Sequence, residues 1–182
     1  TDLMAHPDPD HWGLEVVASA LPWQPVVDGD VVPGRPIDRI AVGAAAGVDI
    51  LVGTNTDDWR LFVVANGSLQ RVTDDVLTGP VIDHGFETAV AYGVSGDAMA
   101  AYRAANPGAS PGELLALVAT DWWCRIPALR LADALAPTRS GTFMYEFAWP
   151  SPAFGGQTEL CRKARIHAPV PRLLPRGVLA AR

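Results

Sequence analysis

The sequence predicts an α/β fold, in which short buried strands alternate with helices. Two segments read as strands. Val48-Asp49-Ile50-Leu51-Val52-Gly53-Thr54 is a brief β-branched run bounded by turn residues, the pattern of a strand buried on both faces. Gly141 to Trp149 is aromatic and alternating, and Pro150-Ser151-Pro152 closes it. Between them, Ser110-Pro111-Gly112-Glu113 announces a helix, with Ser as N-cap, Pro at the first helical position and Glu three residues on.

The elements follow in order. Trp12 to Leu21 carries Trp12, Val16, Val17, Ala20 and Leu21 at helical spacing. Trp23 to Asp30 reads as an extended piece closed by an Asp28-Gly29 turn. Pro36 opens an Ala-rich helix expected to run to about Ala46, with Gly47 as its stop. After the first strand, Asn55-Thr56-Asp57-Asp58 is a turn, and Trp59 to Val64 starts a helix. Strand, polar turn and helix form the basic α/β unit, whose loops at strand C-termini carry chemistry. Short helices with loops are expected from Thr73, a plausible N-cap, to Asn106, with a helix over Asp97 to Ala105. The Ser110 helix should reach toward Ala136 and be kinked or split by Pro127.

Composition limits the function classes. Apolar residues make up 49% and charged residues 19% of 182, a globular balance with room for a core. A net charge of −6 argues against a nucleic-acid partner. Cys124 and Cys161 are the two cysteines, too few for a disulfide framework, and two free thiols are expected. No apolar run reaches the roughly 18–20 residues of a membrane span, so no membrane partner is expected. The chain begins with Thr1 rather than Met and shows no leader, so this end gives no address; a cytoplasmic place is the working expectation. No Cys/His/acid spacing suits a metal, and no cofactor is expected. His6 and His11 lie in a polar stretch and are expected to be solvated, and His84 falls in an Asp-His-Gly turn.

Three separated segments carry a family resemblance. Pro25-Val26-Val27-Asp28-Gly29-Asp30-Val31-Val32-Pro33, Leu51 to Phe62 (with Gly53-Thr54-Asn55-Thr56-Asp57-Asp58) and Thr142-Phe143-Met144-Tyr145-Glu146-Phe147 occur in the order and spacing of type-B carboxylesterases, including bacterial para-nitrobenzyl esterases. The chain resembles the C-terminal part of that family from about residue 20 to residue 156. The resemblance implies the C-terminal portion of an α/β-hydrolase fold, an incomplete central sheet with flanking helices. It implies a serine esterase acting on small-molecule esters, whose triad acid falls on Asp58. The family usually has Glu there; Asp is shorter by one methylene, so the histidine loop would have to compensate. Read without the family, Asp57 and Asp58 are an N-cap pair for the helix that follows. With it, Asp58 becomes the acid and Asp57 stays the cap. Trp59, Phe62 and Trp122 fall where the family borders its acyl pocket, although tryptophans such as Trp59, Trp122 and Trp123 are more often core.

Two parts of the machinery are not in this sequence. No G-x-S-x-G elbow occurs; Gly93-Val94-Ser95-Gly96-Asp97 is the nearest string and reads as a turn and cap before the Asp97 helix. The elbow and the oxyanion loop lie upstream in the family, so the expectation is a chain that starts after them, with the remaining N-terminal part as its partner. The histidine position of the family falls on Arg162, one residue after Cys161, and arginine stays protonated. His167, five residues later, is the one nearby candidate for a displaced base. Residues 158–182 also change character: Arg162, Lys163, Arg165, Arg172, Arg176 and Arg182 are six of the 14 basic residues, and Glu159 is one of the 20 acidic ones. The reading is therefore a carboxylesterase portion over 1–157 and an aberrant basic, Pro-rich tail over 158–182, as an altered reading frame or truncated gene would give. Against it stands the alternative of a remnant with no independent activity. An unrelated hydrolase using Asp57 and Asp58 ranks last, because adjacent carboxylates rarely stand the roughly 5–9 Å apart that two-carboxylate chemistry needs.

Overall fold

A computed structural model describes residues 6, 8–12, 23, 25–81, 85, 87–138, 141–148 and 165–167. By its internal contacts the chain divides into two units, Thr1–Arg39 and Ile40–Arg182.

In the first unit, helix α1 spans Pro9–Trp12; the helix expected over Trp12 to Leu21 falls on residues 13–22, which lie outside the described residues. The Asp28-Gly29 turn forms as expected. The Asp28 carboxylate accepts from the Asp30 N–H at 3.0 Å and the Val32 N–H at 2.9 Å, while Gly29 takes φ +82°. Those backbone donors hold the Asp28 carboxyl below its usual pKa. Helix α2 (Pro36–Ala41) starts where Pro36 places it but ends five residues before Ala46. Gly43 at φ +98° breaks it, so Gly43 rather than Gly47 is the first stop.

The second unit contains the sheet. Strand β1 (Ile50–Asn55) pairs in parallel with β2 (Thr142–Phe147), and β2 pairs antiparallel with β3 (Arg165–His167), giving the order β1-β2-β3. Val52 lies opposite Met144 and Asn55 opposite Phe147, so the two parallel strands end level. Both strands fall where the sequence puts them, within two residues.

Between the strands the chain is helical: α3 (Arg60–Ala65), α4 (Ser68–Arg71), α5 (Asp74–Thr78), a 3-10 turn over Ala89–Tyr92, and α6 (Gly96–Ala105). Thr73 caps α5 through the Val76 N–H, and Ser95 caps α6 through the Ala98 N–H at 3.3 Å. The Gly93–Asp97 string is thus a turn and a cap. Helix α7 (Pro111–Thr120) has the full capping box, with the Ser110 N–H donating to the Glu113 carboxylate at 2.8 Å. Leu114, Leu115 and Val118 of α7 are buried with Val72, Leu77, Ala89 and Met99, so α7 is the axis of the core. Burying each such leucine contributes about 1.5–3 kcal/mol. Gly112 lets α7 approach α4 closely: a Cβ there would stand 2.1 Å from the Leu69 carbonyl oxygen.

Pro127 splits the helix, as its chemistry requires. It has no N–H to offer the Trp123 carbonyl, and the chain answers with a π turn over Asp121–Arg125 before resuming as α8 (Ile126–Leu135). The Ile126 N–H reaches back five residues to the Asp121 carbonyl, which defines the π turn. Helix α8 packs against both β1 and β2. Among the described residues, no helix is long and apolar enough to cross a membrane.

Candidate active site

The turn at the C-terminal end of β1 is built by Asp58. Its Oδ2 accepts from the Asn55 backbone N–H at 2.9 Å, and its Oδ1 accepts from the Asn55 side-chain amide. The carboxylate therefore points back over the end of the strand. The N-cap position of α3 is Trp59 rather than Asp57, and the Trp59 side chain makes no capping bond. The Trp59 N–H instead goes to the hydroxyl of fully buried Thr120 at 3.0 Å, across 61 residues of sequence.

The π turn forms the wall behind this loop. Arg125 donates to the Thr56 carbonyl at 2.7 Å, pairs with Asp121, and lies 3.6 Å from the Glu146 carboxylate on β2. Asp121 in turn accepts from the Tyr102 hydroxyl at 2.6 Å. Burial, helped by Asp121, pushes the Tyr102 phenol well above its usual pKa. Cys124, a free thiol, faces Asp58; burial first, and then the charge and hydrogen bonding of that carboxylate, push the thiol up to about 11. Such a thiol is protonated at neutral pH.

An aromatic surface adjoins the carboxylate. Trp59 stacks on Trp123 with ring centroids 5.4 Å apart and 2° between planes, and it touches Phe62 at 4.8 Å. Trp122 meets Trp123 edge-on at 4.6 Å and Tyr92 at 5.5 Å. Phe62 is 54% exposed and Trp122 39% exposed, so this cluster presents ring surface outward. The structure thus brings Asp58, Trp59, Phe62 and Trp122 into one neighbourhood.

His167 is placed elsewhere. It pairs with Met144 on β2, which pairs with Val52, so its backbone stands level with Val52 and two strands across from β1. Asp58 lies three residues beyond the end of β1 at Asn55. Cys161 and Arg162 lie outside the described residues, as does His84. Among the described residues, no cluster of His, Cys, Asp and Glu could hold a metal.

Several members of this neighbourhood went unmarked in the sequence. Asn55, Thr120, Cys124 and Arg125 all contact the loop, and Trp123 is its stacking partner. One signal was available for Arg125: it lies four residues after Asp121, an acid–base pair on one helix face, just ahead of the proline that must distort that helix.

A parallel strand whose end carries an ordered carboxylate, followed by a helix and flanked by others, fits part of an α/β-hydrolase. Two solved structures of the Geobacillus stearothermophilus carboxylesterase EST55 share the fold. The one at pH 6.2 matches with a TM-score of 0.55 and 23% identity over 88% of this chain and 32% of its own. The one at pH 6.8 matches with 0.51 and 24% over 83% of this chain and 30% of its own. The model of the carboxylesterase family matches residues 11–165, and the chain belongs to that family. It spans about a third of the length of those two structures.

Proposed function

We propose that this chain supplies the acid of a Ser-His-acid esterase triad, with Asp58 as that acid and small acyl esters as substrates. The observation that carries the reading is the Asp58 carboxylate, ordered by Asn55 at the end of β1. In such a triad the carboxylate accepts the histidine Nδ1–H, fixes its tautomer and stabilises the imidazolium that forms. A carboxylate offers about four lone-pair sites. Two are taken by Asn55, which leaves acceptor capacity for an imidazole. The serine and its oxyanion donors are supplied from a segment with a G-x-S-x-G elbow, which this sequence does not contain. Trp59, Phe62 and Trp122, with Trp123, form the acyl-side surface.

The test uses a protein that joins this segment to a nucleophile-bearing one and restores the family's histidine segment after Gly156. Hydrolysis of para-nitrophenyl butyrate is expected to fall about 10⁴-fold in Asp58→Ala, as for loss of a triad acid elsewhere. Asp58→Glu, which restores the usual family residue, should retain most of the turnover. Unchanged turnover in Asp58→Ala would refute the assignment.

One observation favours the second reading, a remnant without activity of its own. The resemblance puts the family's histidine at Arg162, and the backbone register sets His167 level with Val52 rather than at the strand end. His167→Ala is accordingly expected to leave turnover unchanged; a loss comparable to that of Asp58→Ala would make His167 the base. The DNA downstream of the Gly156 codon supplies the other arm: a second frame encoding the histidine segment supports the remnant.

A further inference from the structure

We infer that Arg125, presented by the π turn, is the residue that positions the Asp58 carboxylate, acting through the Thr56 carbonyl. This deepens the triad-acid reading and rests on it. The geometry is specific. Thr56 is held from both sides, its N–H donating to the Phe147 carbonyl at 3.2 Å and its carbonyl accepting from Arg125 at 2.7 Å. Two residues later the same turn delivers Asp58. The guanidinium is itself fixed by Asp121, which Tyr102 holds at 2.6 Å, and by Glu146 of β2. One planar cation thus ties helix α6, the π turn, the acid loop and the second strand together. A lysine, a compact point charge, cannot span the same acceptors.

The π turn explains why Arg125 can do this. The extra residue it inserts rotates the helix face, so that Asp121, Trp123, Cys124 and Arg125 all meet the 55–62 segment or its supports. Pro127, through the distortion it enforces, is the remote cause. Catalytic groups need placement within about 0.5 Å, and a loop turn alone rarely gives it.

Cys124 is a built-in reporter of where the carboxylate sits. Asp58 raises the thiol pKa, whereas the Arg125 charge opposes it more weakly. The experiment is the pH profile of iodoacetamide alkylation, read on the 182-residue chain in a Cys161→Ser background so that one thiol remains. If Arg125 positions Asp58, Arg125→Gln lets the carboxylate leave Cys124. The profile then moves to lower pH, and the rate at a fixed pH below the thiol pKa rises about tenfold when the profile moves by about one pH unit. In an Asp58→Asn background the same change only removes a nearby cation, so the profile should stay or move to higher pH. Arg125→Lys should fall between wild type and Arg125→Gln.

A slower or unchanged rate in Arg125→Gln with Asp58 present overturns the inference, because the carboxylate then stays without its clamp. Faster alkylation in both backgrounds overturns it too, since general loosening of the fold would be the cause. The thiol profile asks where the carboxylate sits, and the esterase assay asks what it does. Either can fail without the other.

Discussion

The helical wall and the sheet are sealed to different degrees. Around α7 the packing is closed: Leu114, Val118, Ala119 and Thr120 are buried, and helices cover α7 on several sides. Among the described residues, the β1–β2 pair is covered more fully on one face than on the other. Ile50, Val52 and Thr54 alternate onto the partly or fully buried face, where Glu146 meets Arg125. Leu51 and Phe143, opposite each other on the other face, are 66% and 44% exposed, and Phe147 on that face is 40% exposed. Parallel strands are normally buried on both sides. The helices therefore form a finished core, whereas the sheet is a half-finished one, with β1 also an edge among the described residues. That contrast agrees with a chain spanning about a third of its solved structural relatives.

The comparison predicts unequal costs for the same substitution. Leu114→Ala should lose about 2–5 kcal/mol of unfolding free energy, because it leaves a cavity in closed packing. Leu51→Ala should lose no more than about 0.5 kcal/mol. Urea melts of the two variants measure both, and equal losses would break the distinction between the halves. Thr120→Val sharpens it at the seam. It removes the buried acceptor of the Trp59 N–H and should cost about 1–3 kcal/mol.

The open face should act on association rather than on stability. At concentrations on the order of 10–100 μM the wild-type chain is expected to self-associate, as exposed apolar sheet and free edges do. Leu51→Ser with Phe143→Ser should shift sedimentation toward monomer and leave the urea midpoint nearly unmoved. A wild-type chain that sediments as monomer across that range would show that the face is tolerated by itself.

How much of this was legible in the sequence divides along the same line. Elements fixed by local chemistry were readable: the capping box at Ser110, the cap at Thr73, the strand after Val48 and the split at Pro127 all depend on neighbours within a few residues. The end of α2 was not, because an Ala-rich run favours helix while Gly43, in the left-handed region, ends it within the run. Family resemblance marked Asp58, and local reading alone would have made it a cap. The partners of the acid loop were hidden for a physical reason. Thr120 and Arg125 reach it across 61 and 69 residues, and no periodicity encodes which side chain of a helix meets a distant turn. The sole trace was the Asp121–Arg125 spacing.

The smallest effect expected concerns pH and tests the seam between wall and turn from the side of the thiol. In the folded chain the Cys124 pKa stands at about 11, raised by burial and by Asp58, against about 8.5 for a free cysteine. A raised folded value means that the folded state disfavours the thiolate. The stabilisation is thus fully present below about 8.5, and it is lost as pH rises through about 11. Tyr102 and Tyr92, also raised by burial, begin to contribute from about pH 9 upward. Over about pH 8.5 to 10 the thiol's share is therefore the part of the decline that removing the thiol takes away. In a Cys161→Ser background, unfolding free energy from urea melts should decline over that interval, and Cys124→Ser should flatten the decline. Asp58→Asn should shrink it without abolishing it, because burial remains as the larger cause. A slope unaffected by Cys124→Ser would mean that the thiol is not enclosed by the turn, and the seam between the closed and the open half would then have to be drawn elsewhere.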